Sequence, residues 1–379
     1  MNIAQVCPYD YHRIGGVQLH MRDLSRALIA LGHHVTIIAP GSQPDSPAGG
    51  GEPKIVHIGT TRDVAFNHTH FEMTVAGEED LAKLDATLEE GAFDIIHYHT
   101  MWVPFVPLQI LRRSKAANVG TFHDTPPETF GGMLTRMVFR VLSRLLSRHL
   151  QALIAVSSAP QRHLWCAPDC RLHILAPCTD LSSYFAPAQP FSQKDSQRPG
   201  ILYLGRLEKR KGVAVLVEAA HCLAQQGLRP DILIAGEGPL RASLEERTQS
   251  LGLHNVRFLG HVSEADKRRW LATAGILCAP SLYGESFGIV LLEAMAAGLS
   301  VVAANNAGYG STLKQTGGGL LARAGDAQAL AQSLSRLVKD ADLRARLAQE
   351  GRQAAAFFDA HALAPRFVEI YKDTLTLKT

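Results

Sequence analysis

Strand-like and helix-like patterns alternate twice along this chain, and one polar stretch without periodicity separates the two runs. In the first run, Ile3–Val6 is a short apolar segment. Val17–Leu31 then places apolar residues at Leu24, Ala27, Leu28 and Leu31 before Gly32 closes it, and Val35–Ala39 is apolar again. Strand, helix and strand in that order make a β-α-β unit. Further strand-like runs at Ile55–Ile58, Asp94–Tyr98, Val119–Phe122 and Ala152–Val156 are separated by helical segments, the alternation of a doubly wound parallel sheet. Ser182 to Pro199, with Pro187, Pro190 and Pro199 and no period, reads as a linker. Beyond it the alternation restarts, with strands at Ile201–Leu204, Asp231–Ala235, Val256–Leu259, Ile276–Ala279 and Ser300–Ala303, a helix at Val213–Gln226, and helices from Ala327 onward. At 379 residues the chain is too long for one ordinary core and fits two domains. The expected fold class is α/β: two Rossmann-like domains facing each other across a cleft, with ligands outside the carboxyl ends of both sheets.

The apolar content of 46% and charged content of 19% describe a folded, soluble protein. The six cysteines, at 7, 166, 170, 178, 222 and 278, have no zinc-ligand spacing and read as reduced thiols. The first residues lack a basic region and a long apolar region, so they read as a strand rather than a signal peptide. The apolar stretch around Ile289–Ala304 is broken by Glu293 and too short to span a bilayer. These features predict a cytoplasmic protein. The net charge of +3 is unevenly spread: Ile95–Pro168 holds two acids, Asp124 and Glu128, against eight Lys or Arg residues, so the N-terminal half carries a basic face.

One segment carries more chemistry than any other, Gly284-Glu285-Ser286-Phe287-Gly288-Ile289-Val290 running on to Glu293 and Gly298. Counted along a helix, the eight positions between Glu285 and Glu293 amount to a little over two turns and about 12 Å, so both acids can face one cleft. Such a pair suits a nucleotide-sugar, with sugar hydroxyls at Glu285, ribose hydroxyls at Glu293 and the diphosphate at the helix N-terminus, where free N–H groups and the macrodipole favour anions. Ser286 offers the helix a cap, and Gly284 and Gly288 keep the backbone open. The helix carrying Glu293 is otherwise apolar, so that charge needs a partner.

The segment resembles the E-x7-E signature of the retaining glycosyltransferases of family 4, which have the two-domain GT-B fold. The likeness extends over nearly the whole chain, and Val6-Cys7-Pro8-Tyr9 with Gly15-Gly16-Val17-Gln18 is similar to bacterial phosphatidylinositol mannosyltransferases. The resemblance implies that residues 1–185 form an N-terminal acceptor domain, 186–199 the linker and 200–362 the C-terminal donor domain, with a last helix at 363–379 crossing back to the first domain.

Other motifs fall at predicted strand ends. Gly15 and Gly16 abut a helix start, where bare backbone can approach a diphosphate; the spacing is not G-x-G-x-x-G, which counts against a dinucleotide dehydrogenase. Leu204–Gly212 resembles the family's basic loop, in which Arg206 and Lys211 match the two cations that hold the donor diphosphate. Fixed positive charge stabilises that group as it departs. His123 in Thr121-Phe122-His123-Asp124 matches the family's sugar-contacting histidine. Gly236 and Gly238, and His261 with Val262, resemble its nucleotide-contacting turns; Ser286, Phe287, Gly288, Ile289, Val290 and Glu293 complete the expected donor site. Two stretches depart from the family pattern: Pro177-Cys178-Thr179-Asp180-Leu181, and Asn305–Gly310, which lacks the acid many relatives carry there. No glycosidase-like carboxylate pair and no metal constellation is visible in these motifs.

Between Gly132 and Leu150, Arg136, Arg140, Arg144 and Arg148 recur every four positions among Leu, Val, Met and Phe. Four steps exceed one turn by about 40°, so the stripe drifts over roughly 120°. A basic amphipathic helix of this kind can lie on anionic lipid; the plainer arrangement packs its apolar side on the sheet and leaves the arginines in water, and a mixed one packs the helix while holding the arginine stripe near headgroups. The reading that results is a metal-independent, retaining hexosyltransferase of mannose or glucose type, cytoplasmic or peripheral on the inner face of the cell membrane. It would use a GDP- or UDP-sugar, no cofactor, and a sugar, polyol or lipid acceptor, with no nucleic-acid partner. The alternatives are a sugar-nucleotide epimerase of the same plan and a nucleotide-sugar-binding protein without turnover.

Overall fold

The computed structural model describes residues 1–12, 15–66, 69–101, 106–125, 130–187 and 200–378. The chain divides into two compact units, one formed by Met1–Asp180 with Ala360–Thr379 and the other by Leu181–Asp359. The division falls after Asp180, and residues 188–199, most of the expected linker, lie outside the described residues.

The first unit runs β1 (Asn2–Val6), α1 (Gly16–Ala30), β2 (His34–Ala39), β3 (Lys54–His57), β4 (Thr60–Phe66), β5 (Thr69–Val75), α2 (Glu78–Gly91) and β6 (Ile95–His99). It continues with α3 (Val106–Arg113), β7 (Ala117–Phe122), α4 (Phe130–Leu146), β8 (Ala152–Ala155), α5 (Ser158–Gln161) and β9 (Arg171–Ile174). The second unit opens with α6 (Ser182–Phe185), β10 (Ile201–Leu204), α7 (Val213–Gln225), β11 (Ile232–Ala235), α8 (Arg241–Ser250), β12 (Val256–Gly260) and α9 (Glu264–Thr273). There follow β13 (Ile276–Ala279), α10 (Ile289–Ala296), β14 (Ser300–Ala304), α11 (Ala307–Thr316), β15 (Gly319–Ala322), α12 (Ala327–Lys339) and α13 (Ala341–Ala355), and the closing helix α14 (Ala360–Thr376) belongs to the first unit.

Each unit is built on one parallel sheet. The first has the order β3-β2-β1-β6-β7-β8-β9 and the second β12-β11-β10-β13-β14-β15. The central strands read as apolar runs because helices cover both of their faces. Ile3 pairs with Val35 on one side and Ile95 on the other, and Ile201 with Ile232 and Ile276. Helix α1 buries Met21, Leu24, Ala27 and Leu28 along one stripe and stops at Gly32, whose φ of 82° is the left-handed conformation that ends many helices.

In both sheets the strand order reverses beside the first strand, between β1 and β6 and between β10 and β13. Chains leaving two such strands diverge to opposite faces, which opens a crevice at their carboxyl ends. In the first unit that point is bordered by the segment after Val6 and by His99, and in the second by the segments after Leu204 and Ala279.

Several elements depart from the expectation. The antiparallel pair β4–β5 was not read from the sequence, since Thr60–Phe66 and Thr69–Val75 mix polar and apolar residues without an unbroken apolar run. Strand β15 sits between glycines; a Cβ at Gly319 would stand 2.3 Å from the Val301 carbonyl oxygen, so the close approach to β14 replaces side-chain pattern as its cause. Ser182–Phe185, read as linker, is helical and buries Tyr184.

Candidate active site

The segment leaving β10 supplies a compact charge cluster. A single 3-10 turn at Lys209–Lys211 ends in Gly212, whose φ of 67° starts α7. A Cβ at Gly212 would lie 2.1 Å from the Pro280 carbonyl oxygen, and the Leu282 N–H donates to the Arg210 carbonyl at 2.8 Å. The segments after β10 and β13 are thereby held against each other at the switch point. Lys211 Nζ donates to Glu285 Oε1 at 2.7 Å and Arg210 Nη1 to the same oxygen at 3.1 Å. Glu208 Oε1 stands 2.9 Å from Arg210 Nη2 and 3.2 Å from Arg206 Nη2, at angles that form no hydrogen bond. Three cations face two carboxylates here. Arg206 is the most accessible of them, with 71% of its side chain exposed, while Glu285 shows only 11%. Arg210, the bridge between the two acids, was not singled out from the sequence, although it stands inside the same basic run.

Glu285 and Glu293 do not share a helix. Helix α10 begins at Ile289 with Gly288 as its N-cap, so Ser286 does not cap it and a helical count from Glu285 does not apply. Two constraints require glycine at 288: a φ of 103°, and a Tyr309 ring that a Cβ would meet at 2.6 Å. Phe287 is buried against Phe358, with ring centroids 5.8 Å apart, so only its backbone can meet a ligand. Ile289 and Val290 begin the helix half-buried. Their N–H groups belong to the first turn, which has no intrahelical acceptors.

The partner that Glu293 needed is inside the protein. Glu293 is 4% exposed, and its carboxylate accepts from Lys267 Nζ at 2.9 Å and from the Tyr184 hydroxyl at 3.2 Å, and Glu264 lies 2.9 Å from the same ammonium. Burial alone would lower the Lys267 pKa, but Glu293 and Glu264 outweigh it and leave it raised. Lys267 and Tyr184 carry no local sequence signal, because both come from segments distant in the chain.

Gly236 and Gly238 are required by close packing. A Cβ at Gly236 would lie 1.8 Å from the Gly205 carbonyl oxygen and one at Gly238 2.5 Å from that of Leu207, so both turns lie directly under the basic loop. His261 is exposed and Val262 half-buried, just ahead of α9, which Ser263 caps by accepting from the Asp266 N–H.

In the first unit, Gly15 is the N-cap of α1 in extended backbone. A Cβ on Gly16 would meet nothing within 4 Å, so neither fold nor packing requires glycine at that position. The intervening Arg13 and Ile14 lie outside the described residues. His123, at the end of β7, belongs to a cluster the sequence did not announce. His99 Nδ1 lies 3.2 Å from His123 Nε2, and His99 Nε2 lies 3.0 Å from Gln5 Oε1. His97 meets the Tyr371 hydroxyl at 2.8 Å and Thr121 Oγ1 at 2.6 Å. His20 packs beside His99 and His123 with ring centroids 5.2 and 5.3 Å away. Helix α14 closes the cluster with Phe367 and Tyr371. Burial pushes the His20 pKa down to about 4 and those of His97, His99 and His123 well below the ordinary histidine value, so all four rings are neutral at pH 7.

Residues 187–354 match the family described as "Glycosyl transferases group 1" and residues 14–183 the family "Glycosyltransferase Family 4". The phosphatidyl-myo-inositol mannosyltransferase of Mycolicibacterium smegmatis is 32% identical over 98% of this chain and 94% of its own length. The chain belongs to the family 4 glycosyltransferases. A D-inositol 3-phosphate glycosyltransferase of Frankia alni is 28% identical over 96% of this chain and 95% of its own. Among solved structures, sucrose-phosphate synthase from Thermosynechococcus elongatus shares the GT-B fold at a TM-score of 0.77, with 23% identity and 99% of each chain covered.

The basic helix of this glycosyltransferase departs from the plainer arrangement read from its sequence, in which the apolar side packs on the sheet. Met133, Leu134, Met137, Val138, Val141 and Leu145 of α4 are 46–71% exposed, so these six face outward, while Phe139 and Leu146 pack against the core of the first unit. The drift of the arginine stripe divides it: Arg136 and Arg140 are half-buried, and Arg144 and Arg148 exposed. Arg140 donates to the Arg162 carbonyl and Arg144 to that of Cys166. Ser143 and Ser147, on the buried side, accept from the Trp165 and Ala167 N–H groups. Arg148 lines a hollow of about 470 Å³ with Leu108, Leu111, Arg112 and Leu145. Among the described residues no helix is long and apolar enough to cross a membrane.

Proposed function

We propose that this glycosyltransferase moves a hexose of mannose or glucose type, with retention, from a nucleoside-diphosphate sugar to a lipid-linked acceptor. The observation that carries the reading is the contact of Lys211 and Arg210 with Glu285 at the switch point of the second sheet. Here cations suited to a diphosphate touch an acid suited to sugar hydroxyls. A diphosphate reaching Arg206 and Lys211 draws the cations toward itself and frees Glu285 for the hexose. The cations then stabilise the charge that grows as the glycosidic bond breaks, which is the role a divalent metal would otherwise fill. With retention, the acceptor enters on the face the diphosphate leaves, a phosphate oxygen takes its proton, and the protein's work is positioning and electrostatics.

The acceptor class rests on the mannosyltransferase relatives and on α4. An outward row of six apolar side chains bordered by Arg144 and Arg148 matches a helix lying in a lipid interface, each basic residue adding about 1 kcal/mol near an anionic surface. On this reading the protein is peripheral on the inner face of the cell membrane.

The test is an assay of purified protein with GDP-mannose and UDP-glucose against vesicles containing phosphatidylinositol, with and without EDTA. We expect a glycolipid product from one donor, unchanged by EDTA and with the donor's anomeric configuration by NMR. Donor binding by calorimetry with no transfer to any acceptor would favour a binding protein without turnover. Isomerisation of UDP-GlcNAc without acceptor would favour an epimerase.

A further inference from the structure

The four neutral imidazoles of the cluster that includes His123 each hold one proton, and their partners restrict where it sits. His20 accepts the Cys178 backbone N–H on Nδ1 at 2.7 Å, so its proton is on Nε2, a fully buried nitrogen with no partner among the described residues. His20, His99 and His123 bring ring nitrogens within 4.8 Å of one another, a spacing a metal ion could use. Yet a protonated Nε2 has no lone pair to offer, so the three do not form a ligand set in this arrangement.

A second chain of contacts starts in α1. Gln5 Nε2 donates to Ser25 Oγ at 3.0 Å, which turns its carbonyl oxygen toward His99 Nε2. That oxygen only accepts, so His99 carries its proton on Nε2 and presents a lone pair at Nδ1. His123 lies 3.2 Å away through Nε2 and must donate there, leaving the lone pair of its own Nδ1 without a partner among the described residues. We infer that Gln5 and His99 are positioning residues that hold His123 in its Nε2–H form, so that His123 offers the ligand a hydrogen-bond acceptor and never a donor.

The consequence concerns specificity, and it rests on the glycosyl-transfer reading only for the identity of the ligand. A lone pair at Nδ1 takes a hydroxyl O–H and repels an acetamido carbonyl, a phosphate oxygen or a fluorine, all of which only accept. With the Gln5 amide turned over, every proton in the chain would shift and His123 would instead donate.

The tautomers are read directly by NMR of the full chain labelled with nitrogen-15 in histidine, with His123 assigned by loss of its signals in His123→Asn. In the wild type we expect His123 and His99 each to show a protonated Nε2 and an unprotonated Nδ1. Protonated Nδ1 on His123 overturns the inference, whether or not the protein proves to transfer sugar. Gln5→Met should move part of the His123 population to Nδ1–H and lower kcat/KM on the order of tenfold with donor KM little changed. An unaltered His123 tautomer in that variant also overturns it. Should Gln5→Met not fold, the wild-type spectrum decides alone. If transfer is observed, a donor deoxygenated or fluorinated at the hydroxyl facing His123 should react more slowly in both cases, since neither can donate.

Discussion

Lys211 and Lys267 each bind a glutamate, and their surroundings give the two pairs different work. Lys211 and Glu285 belong to a cluster with an excess cation and an open arginine, so Lys211→Ala should leave the fold intact. Transfer should fall by about 10²–10³-fold in kcat, the usual cost of removing one group aimed at developing charge. Steady-state kinetics beside an unchanged denaturation midpoint checks this. The Lys267–Glu293 pair is buried, and Lys267→Met leaves a carboxylate without its cation. We expect a loss of about 3–5 kcal/mol by urea unfolding, while Tyr184→Phe, which removes one hydrogen bond, costs about 1 kcal/mol. Equal and small effects from both changes would show that Glu293 does not depend on this pairing. Glu285 and Glu293 stood out in the sequence because glycines and an apolar helix surround them; their partners did not, since a salt bridge across 26 or 74 positions has no local signature.

At the scale of elements, strands in the interior of a parallel sheet were the easiest to read, for burial on two faces writes an unbroken apolar run. Ile201–Leu204 and Ile276–Ala279 fall where that rule puts them. Helix α4 was legible as amphipathic, but not the direction of its faces, because a period of 3.6 defines a stripe and not what the stripe meets. Serines 143 and 147 point inward with Phe139 and Leu146, each serine accepting from a backbone N–H, and six other apolar residues are left outside. Leu134→Glu with Val138→Glu touches only exposed positions, so stability should stay within about 0.5 kcal/mol. Cosedimentation with anionic vesicles should drop sharply. Arg144→Glu with Arg148→Glu should weaken the same binding and reduce its salt dependence. Vesicle binding by the first variant equal to wild type would remove α4 as the lipid contact.

For the whole molecule, the histidine cluster ties stability of the first unit to pH. His20 falls to about 4 in the fold against 6.5 for an ordinary histidine, so between those values the unfolded chain binds a proton that the folded one does not. Its stabilising contribution is complete above pH 6.5 and is lost as pH falls toward 4, by about 1.4 kcal/mol per pH unit, with His97, His99 and His123 acting in the same sense. Asp23 on α1, raised by burial, acts in the opposite sense as the pH falls. Urea midpoints at pH 7.5 and 5.5 should therefore differ steeply for the transition that unfolds this unit, and His20→Phe should flatten the slope. Hydrophobic pattern, glycine placement and turn chemistry act between neighbours in the chain, and on their own they determined two parallel α/β units with basic and acidic residues at their strand ends. Partnership was decided by the tertiary structure alone: Tyr184 and Lys267 on Glu293, and Gln5 and His99 behind His123. Burial makes those polar contacts obligatory, and burial is a property of the packed chain.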